Sequence, residues 1–198
     1  MLTKTQLKIL AYVIDNPDKY FGIHDLAREI GSVYYLVHRN IQNLIKENVI
    51  RVEKAGRTNI VKLSSNVDES YLIEAEKYKK NLFFNKYPSL KVNLKKIIKE
   101  SKSAFFILIV FGSYAKKKEK NDSDLDLLII VPDSKDINIM EKTISTIART
   151  SSTKIHETVI DKFLFKSMLN KRELNVVREA IEKHILIYGD ELYYSLVR

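Results

Sequence analysis

The chain has 198 residues, 45% of them hydrophobic and 30% charged, enough for one ordinary domain or two small ones with a packed core. Zero cysteines exclude a disulfide framework and a thiolate zinc site, and apolar runs such as residues 125–131, interrupted by Asp126, are too short to span a membrane. The net charge of +9 is uneven: residues 1–103 hold 19 Lys or Arg against 11 Asp or Glu, a footprint that suits a polyanion partner or a merely well-solvated surface, whereas residues 104–198 hold 15 against 14.

The amino-terminal MLTKTQLKIL is amphipathic with no uninterrupted apolar centre, so no signal peptide is expected and the expected location is the cytoplasm. Leu7, Leu10, Ala11 and Ile14 recur at helical spacing, and Asn16-Pro17 stops that helix. Residues 24–30 place Leu26, Ala27 and Ile30 on one face of a second helix; Gly31-Ser32 then turns the chain, with Ser32 as candidate cap. A third helix is expected over about residues 33–47. Val37, Ile41, Leu44 and Ile45 form its buried stripe, and Tyr34, Tyr35, His38, Arg39 and Gln42 face outward. IRVEKAGRTNIVKL reads as two short strands around Ala55-Gly56-Arg57-Thr58, a hairpin with a basic tip.

This run of helix, helix, helix and hairpin resembles a winged helix-turn-helix domain over residues 1–66. The resemblance implies a third helix lying in the major groove of duplex DNA, with Tyr34, Tyr35, His38 and Arg39 toward the bases and Arg57 on the wing. Winged helices also serve as protein-contact and dimerisation modules, so a homodimer is among the partners the resemblance admits. Asn48 stands where relatives usually carry glycine, but asparagine also tolerates the left-handed conformation a helix end needs.

Residues 67–89 read as a helical connector: a charged helix over 69–86, stopped by Pro88. A lysine-rich helix with Val92, Leu94, Ile97 and Ile98 as its apolar positions leads to a strand over residues 104–111. Phe105 to Phe111 is a nearly continuous β-branched and aromatic run, as expected of a strand buried on both faces. Gly112 and Ser113 end it, at a turn where a phosphate can approach backbone N–H groups. After ten intervening residues, Asp124 and Asp126 project from one face of the next strand, with Leu125 and Leu127 pointing the other way. Two carboxylates so placed repel each other unless a cation neutralises them, and magnesium suits one or two carboxylates plus substrate phosphates.

The constellation of Phe111, Gly112, Ser113, Asp124 and Asp126 resembles the signature of minimal nucleotidyltransferases of the DNA polymerase beta superfamily, over residues 90–198. What the resemblance implies is an α+β protein whose carboxy-terminal half is a mixed sheet flanked by helices. Its implied activity is transfer of a nucleoside monophosphate from an NTP to an acceptor hydroxyl, with Asp124 and Asp126 as catalytic metal ligands for one or two Mg2+ ions. Gly112, Ser113 and Lys116 would hold the triphosphate. A third carboxylate on a later strand is sought in KIHETVID: Glu157 is the first choice, Asp161 shares its face, and His156 lies nearby. Relatives of this class include antitoxins that modify a partner toxin, so the acceptor classes include a protein. The alternative reading is a DNA-binding regulator whose second domain only senses nucleotide or binds a partner.

Overall fold

The computed structural model describes residues 1–17, 19–55, 58–103, 105–171 and 173–198. Contacts divide the chain into two compact units, Met1–Tyr78 and Lys79–Arg198. The division falls inside one helix, α4 (Glu69–Lys86).

The first unit opens with α1 (Lys4–Ile14), whose start is fixed by a reciprocal cap: Gln6 N–H donates to Thr3 Oγ1, and Thr3 N–H donates to Gln6 Oε1 at 2.8 Å. Helix α2 (Ile23–Glu29) and α3 (Tyr34–Lys46) follow, then the antiparallel strands β1 (Ile50–Ala55) and β2 (Thr58–Leu63). Val37, Ile41 and Leu44 are fully buried, as the 3.6-residue period requires, and so are Ile9 and Leu10 of α1 and Leu26 of α2, the two helices that α3 contacts. Ser32 does not cap α3: Val33 occupies the N-cap position without a side-chain bond. After α3, Asn48 adopts φ of +57°, the left-handed conformation that lets the chain reverse into β1.

In the second unit α5 (Pro88–Glu100) starts at the proline that stops α4, because proline lacks only an N–H that a first turn leaves unpaired. Its buried positions are Leu90, Leu94 and Ile97; Val92, expected to be apolar packing, is 65% exposed. Four strands follow: β3 (Ile107–Val110), β4 (Leu125–Val131), β5 (Ile155–Asp161) and β6 (Ile185–Tyr188), in the spatial order β5-β4-β3-β6. Strand β4 runs antiparallel to β3 and parallel to β5, a mixed sheet whose β4–β5 crossover is α7 (Ile137–Ala148). One face of the sheet packs Leu108, Val110, Leu125, Leu127 and Ile129 against α5 and α7 through Leu94, Ile97, Ile144 and Ile147. Helices α8 (Lys162–Asn170), α9 (Val176–Glu182) and α10 (Asp190–Val197) contact strands from the other face. Among the described residues no helix is long and apolar enough to cross a membrane.

The expected strand over 104–111 is shorter than its sequence suggests. Ala104 lies outside the described residues, and Phe105 is 67% exposed instead of buried. Ser101 and Ser103 explain the late start: their hydroxyls exchange hydrogen bonds with the backbone of Ser103 and Phe105, offering those groups local partners in place of a ladder.

Candidate active site

Strand β3 delivers Phe111, whose N–H donates to the Asp126 carbonyl at 3.1 Å and so continues the pairing with β4 by one residue. The chain then turns through Gly112 into α6 (Gly112–Ala115). Gly112 has φ of +65°, and a Cβ built there would lie 2.1 Å from Asp126 Oδ2 and 2.9 Å from its Cγ. No other residue fits while that carboxylate keeps its place. Glycine and the second aspartate of the signature are thus one packed unit, with Ser113 partly exposed beside it.

Asp124 lies just before β4 and Asp126 within it, on one face and roughly 7 Å apart along the strand. Both are half-buried, with side chains 37% and 26% exposed. Each faces a base from the neighbouring strand. Lys154 Nζ lies 2.8 Å from Asp124 Oδ2, and His156 Nδ1 lies 3.4 Å from Asp126 Oδ1. The hydrogen bond and charge of Asp124 raise the Lys154 ammonium above its ordinary pKa. The register explains the match: Leu125 pairs with Ile155 and Asp126 with His156, so Lys-Ile-His lies alongside Asp-Leu-Asp. The Lys154 ammonium supplies part of the charge compensation that two adjacent carboxylates need, and His156 places a ring nitrogen beside the second.

The same register moves the expected third acid away. Glu157 pairs with Leu127, whose side chain is fully buried on the face covered by α5 and α7, so Glu157 belongs to the opposite face from Asp126. Asp161 shares that face with Glu157 and is already committed: its Oδ1 accepts from Phe163 N–H and Leu164 N–H, both at 2.8 Å, capping α8. His156 occupies the place beside Asp126. Among the described residues no group of three or more His, Cys, Asp or Glu side chains could hold a metal ion. The donors that remain, two half-exposed carboxylates, fit magnesium in type, because that ion takes oxygen ligands and completes its shell with water and phosphate.

Lys116 reaches Glu179 of α9 at 3.0 Å and is held in that ion pair. Glu119, in the loop between Ser113 and Asp124, accepts from Lys86 Nζ at 2.7 Å and from the Tyr87 hydroxyl. Tyr87 in turn meets Tyr114 edge to face. These contacts fix the loop from both ends. The sequence reading missed them, as it missed Lys154, although a basic pair with the same spacing of two as the aspartates was there to be noticed.

In the first unit Tyr34 is 42% and Tyr35 69% exposed, Arg39 is exposed and His38 half-buried, all on the outward side of α3. Tyr34 is sandwiched between His24, stacked at 4.1 Å, and His38 at 5.8 Å. Arg57 lies outside the described residues.

A mixed sheet flanked by helices, with a glycine turn locked onto an Asp-Leu-Asp strand, defines a domain of the polymerase-beta type. The chain belongs to the family described as Polymerase beta, Nucleotidyltransferase, whose model matches residues 92–192. No curated protein matches. A solved structure described as "Crystal structure of the toxin-antitoxin with AMP-PNP" is similar over 53% of this chain and 81% of its own, at 13% identity and a TM-score of 0.32.

Proposed function

We propose that the chain transfers a nucleoside monophosphate from an NTP to an acceptor hydroxyl, magnesium-dependently, and binds duplex DNA through its first unit as a winged helix. The observation that carries the transferase reading is the seat of the Asp126 carboxylate against Gly112, which ties the family's glycine turn to its carboxylate strand in one rigid unit. In the reaction the acceptor hydroxyl gives up its proton to solvent, a bond forms between its oxygen and the α-phosphorus, the bond from the α-phosphorus to the oxygen that bridges it to the β-phosphate breaks, and pyrophosphate leaves. Asp124 and Asp126 would hold the magnesium, which when bound offsets the charge of the triphosphate and of the leaving group. Gly112 lets the phosphate chain approach the backbone of Ser113, since no side chain stands in the way. Lys154 and His156 would yield the carboxylates to the cation, and Lys116 would have to leave Glu179 to reach a phosphate.

DNA binding would use Tyr34, Tyr35, His38 and Arg39 of α3, with Arg57 on the hairpin. The exposure of Tyr34, Tyr35 and Arg39 on one helix, with His38 half-buried beside them, supports that reading.

A second reading is favoured by His156 standing where a third carboxylate would complete the set. In it the domain binds nucleotide or a protein partner without transfer, and the protein is a DNA-binding regulator of antitoxin type. Incubation with labelled NTP, magnesium and a host lysate as acceptor pool separates the two. Label that disappears in both Asp124→Asn and Asp126→Asn, which keep size and remove charge, is the expected outcome, and the labelled fraction identifies the acceptor class. No label with any NTP or divalent metal, alongside specific DNA binding, would leave the regulator.

A further inference from the structure

The basic excess of the chain is concentrated in one helix. Residues 1–78 hold 11 Lys or Arg against 10 Asp or Glu, nearly neutral, whereas residues 79–103 hold 8 lysines against a single acid, Glu100. Half of those lysines lie on α5, where Lys91, Lys95 and Lys99 succeed one another at i, i+4 and Lys96 lies beside them. Like charges at that spacing repel and weaken a helix. Four lysines elsewhere in the chain are each paired with a carboxylate within 3.0 Å: Lys62 with Glu53, Lys86 with Glu119, Lys116 with Glu179 and Lys154 with Asp124. Among the described residues Lys95, Lys96 and Lys99 have no carboxylate within ion-pair distance, and all three are exposed.

We propose that this face of α5 is a docking surface for the phosphate backbone of duplex nucleic acid, separate from the DNA contacts assigned to α3. Length and charge agree with that ligand. From Lys91 to Lys99 the helix advances about 12 Å, at about 1.5 Å per residue. One strand of a duplex presents a phosphate about every 3.4 Å of its axis, so about three or four face that length. An acidic protein surface fits less well: protein interfaces are depleted in lysine and anchored by buried aromatic or aliphatic side chains, and here Val92 alone is exposed between the lysines. A membrane surface fits less well again, because Leu90, Leu94 and Ile97 are already buried and leave no apolar face to insert. The outward positions also lack an aromatic ring on which an unpaired base could stack, which favours a duplex over a single strand.

The test uses the full chain and a short labelled duplex titrated between about 50 and 200 mM salt. Alanine at Lys95, Lys96 and Lys99 together should reduce the slope of log affinity against log salt by about 0.9 per lysine, close to 2.7 in all. Alanine favours helix, and thermal melting shows whether the variant keeps its fold. A control with Lys135, Lys142 and Lys166 changed to alanine, all exposed and outside α5, should leave the slope unchanged. The same decrement should appear in an Arg39→Ala background, so failure of the α3 assignment and failure of this one read differently. Equal slopes for the two triple variants, or absence of duplex binding at low salt, would overturn the proposal. So would polyglutamate displacing the duplex charge for charge, which would make the face one for acidic protein.

Discussion

A Cβ at residue 112 would meet Asp126 at 2.1 Å from Oδ2 and 2.9 Å from Cγ, but at 3.2 Å from Cβ, so most of the conflict is with the carboxylate itself. Gly112→Ala should therefore destabilise twice over: by about 1–2 kcal/mol for a left-handed non-glycine residue, and by displacing the aspartate. Only the second cost involves Asp126. In an Asp126→Ala background it should vanish, giving a coupling of about 0.5–3 kcal/mol in a double-mutant cycle read by denaturant unfolding. Additive effects would mean that the carboxylate does not rest on Gly112. This pairing was legible in the sequence, because Gly-Ser and Asp-Leu-Asp mark themselves by type and spacing. The third acid was not. In IHETVID both parities are mixed, Ile155, Glu157, Val159 and Asp161 on one side and His156, Thr158 and Ile160 on the other, so composition leaves open which side turns toward Asp126. Only the register, Asp126 with His156, decides it.

Between α4 and β4, order depends on a buried-edge carboxylate. Glu119 is 16% exposed in its side chain, and bonds from Lys86 and Tyr87 hold its carboxyl at about 2, below the ordinary 4.5. A folded pKa lowered in this way contributes stability that is fully present above about pH 4.5 and is lost as pH falls toward 2. Lys86 moves the opposite way, from 10.5 to about 12, so its share is present below pH 10.5 and is lost as pH rises through 12. Lys86 is 55% exposed, and solvent screening makes its share small. Glu119→Gln should accordingly flatten the fall in melting temperature between about pH 4.5 and 2.5 relative to the unaltered chain, and identical acid profiles would discount the contact. The elements around this knot were readable from punctuation and pattern: Pro88 separates α4 from α5 by removing one N–H, and helical periodicity finds α5, whereas α4 shows only as a charged stretch with little periodicity. The start of β3 was not readable. Phe105 and Phe106 look alike to any hydrophobicity pattern, yet one is 67% and the other 2% exposed, because serine hydroxyls take up the backbone before the ladder begins.

Across the whole chain, charge and contacts partition differently from the sequence's apparent halves. Reading a basic first half from residues 1–103 assigns the excess to the DNA-binding segment, whereas the contact boundary between Tyr78 and Lys79 gives nearly all of it to the second unit. The change of charge falls at that boundary, but nothing in the local pattern marks a break there, since it lies within the continuous helix α4. Under the proposed function the two units hold different machinery, the carboxylate pair in one and the exposed face of α3 in the other. Substitutions at the carboxylate pair should then leave duplex binding untouched, and substitutions on α3 should leave transfer untouched. Asp124→Asn, which removes a negative charge from a half-exposed site without emptying a core position, should abolish nucleotide transfer while the affinity of the full chain for its duplex stays the same. Arg39→Ala should weaken that affinity, lowering the salt slope by about 0.9 for one lost phosphate contact, and should spare transfer to a non-DNA acceptor. Paired labelling and duplex titrations on both variants check this. Transfer that falls with Arg39→Ala, or duplex affinity that changes with Asp124→Asn, would show that the units communicate and that the acceptor or its recognition involves both.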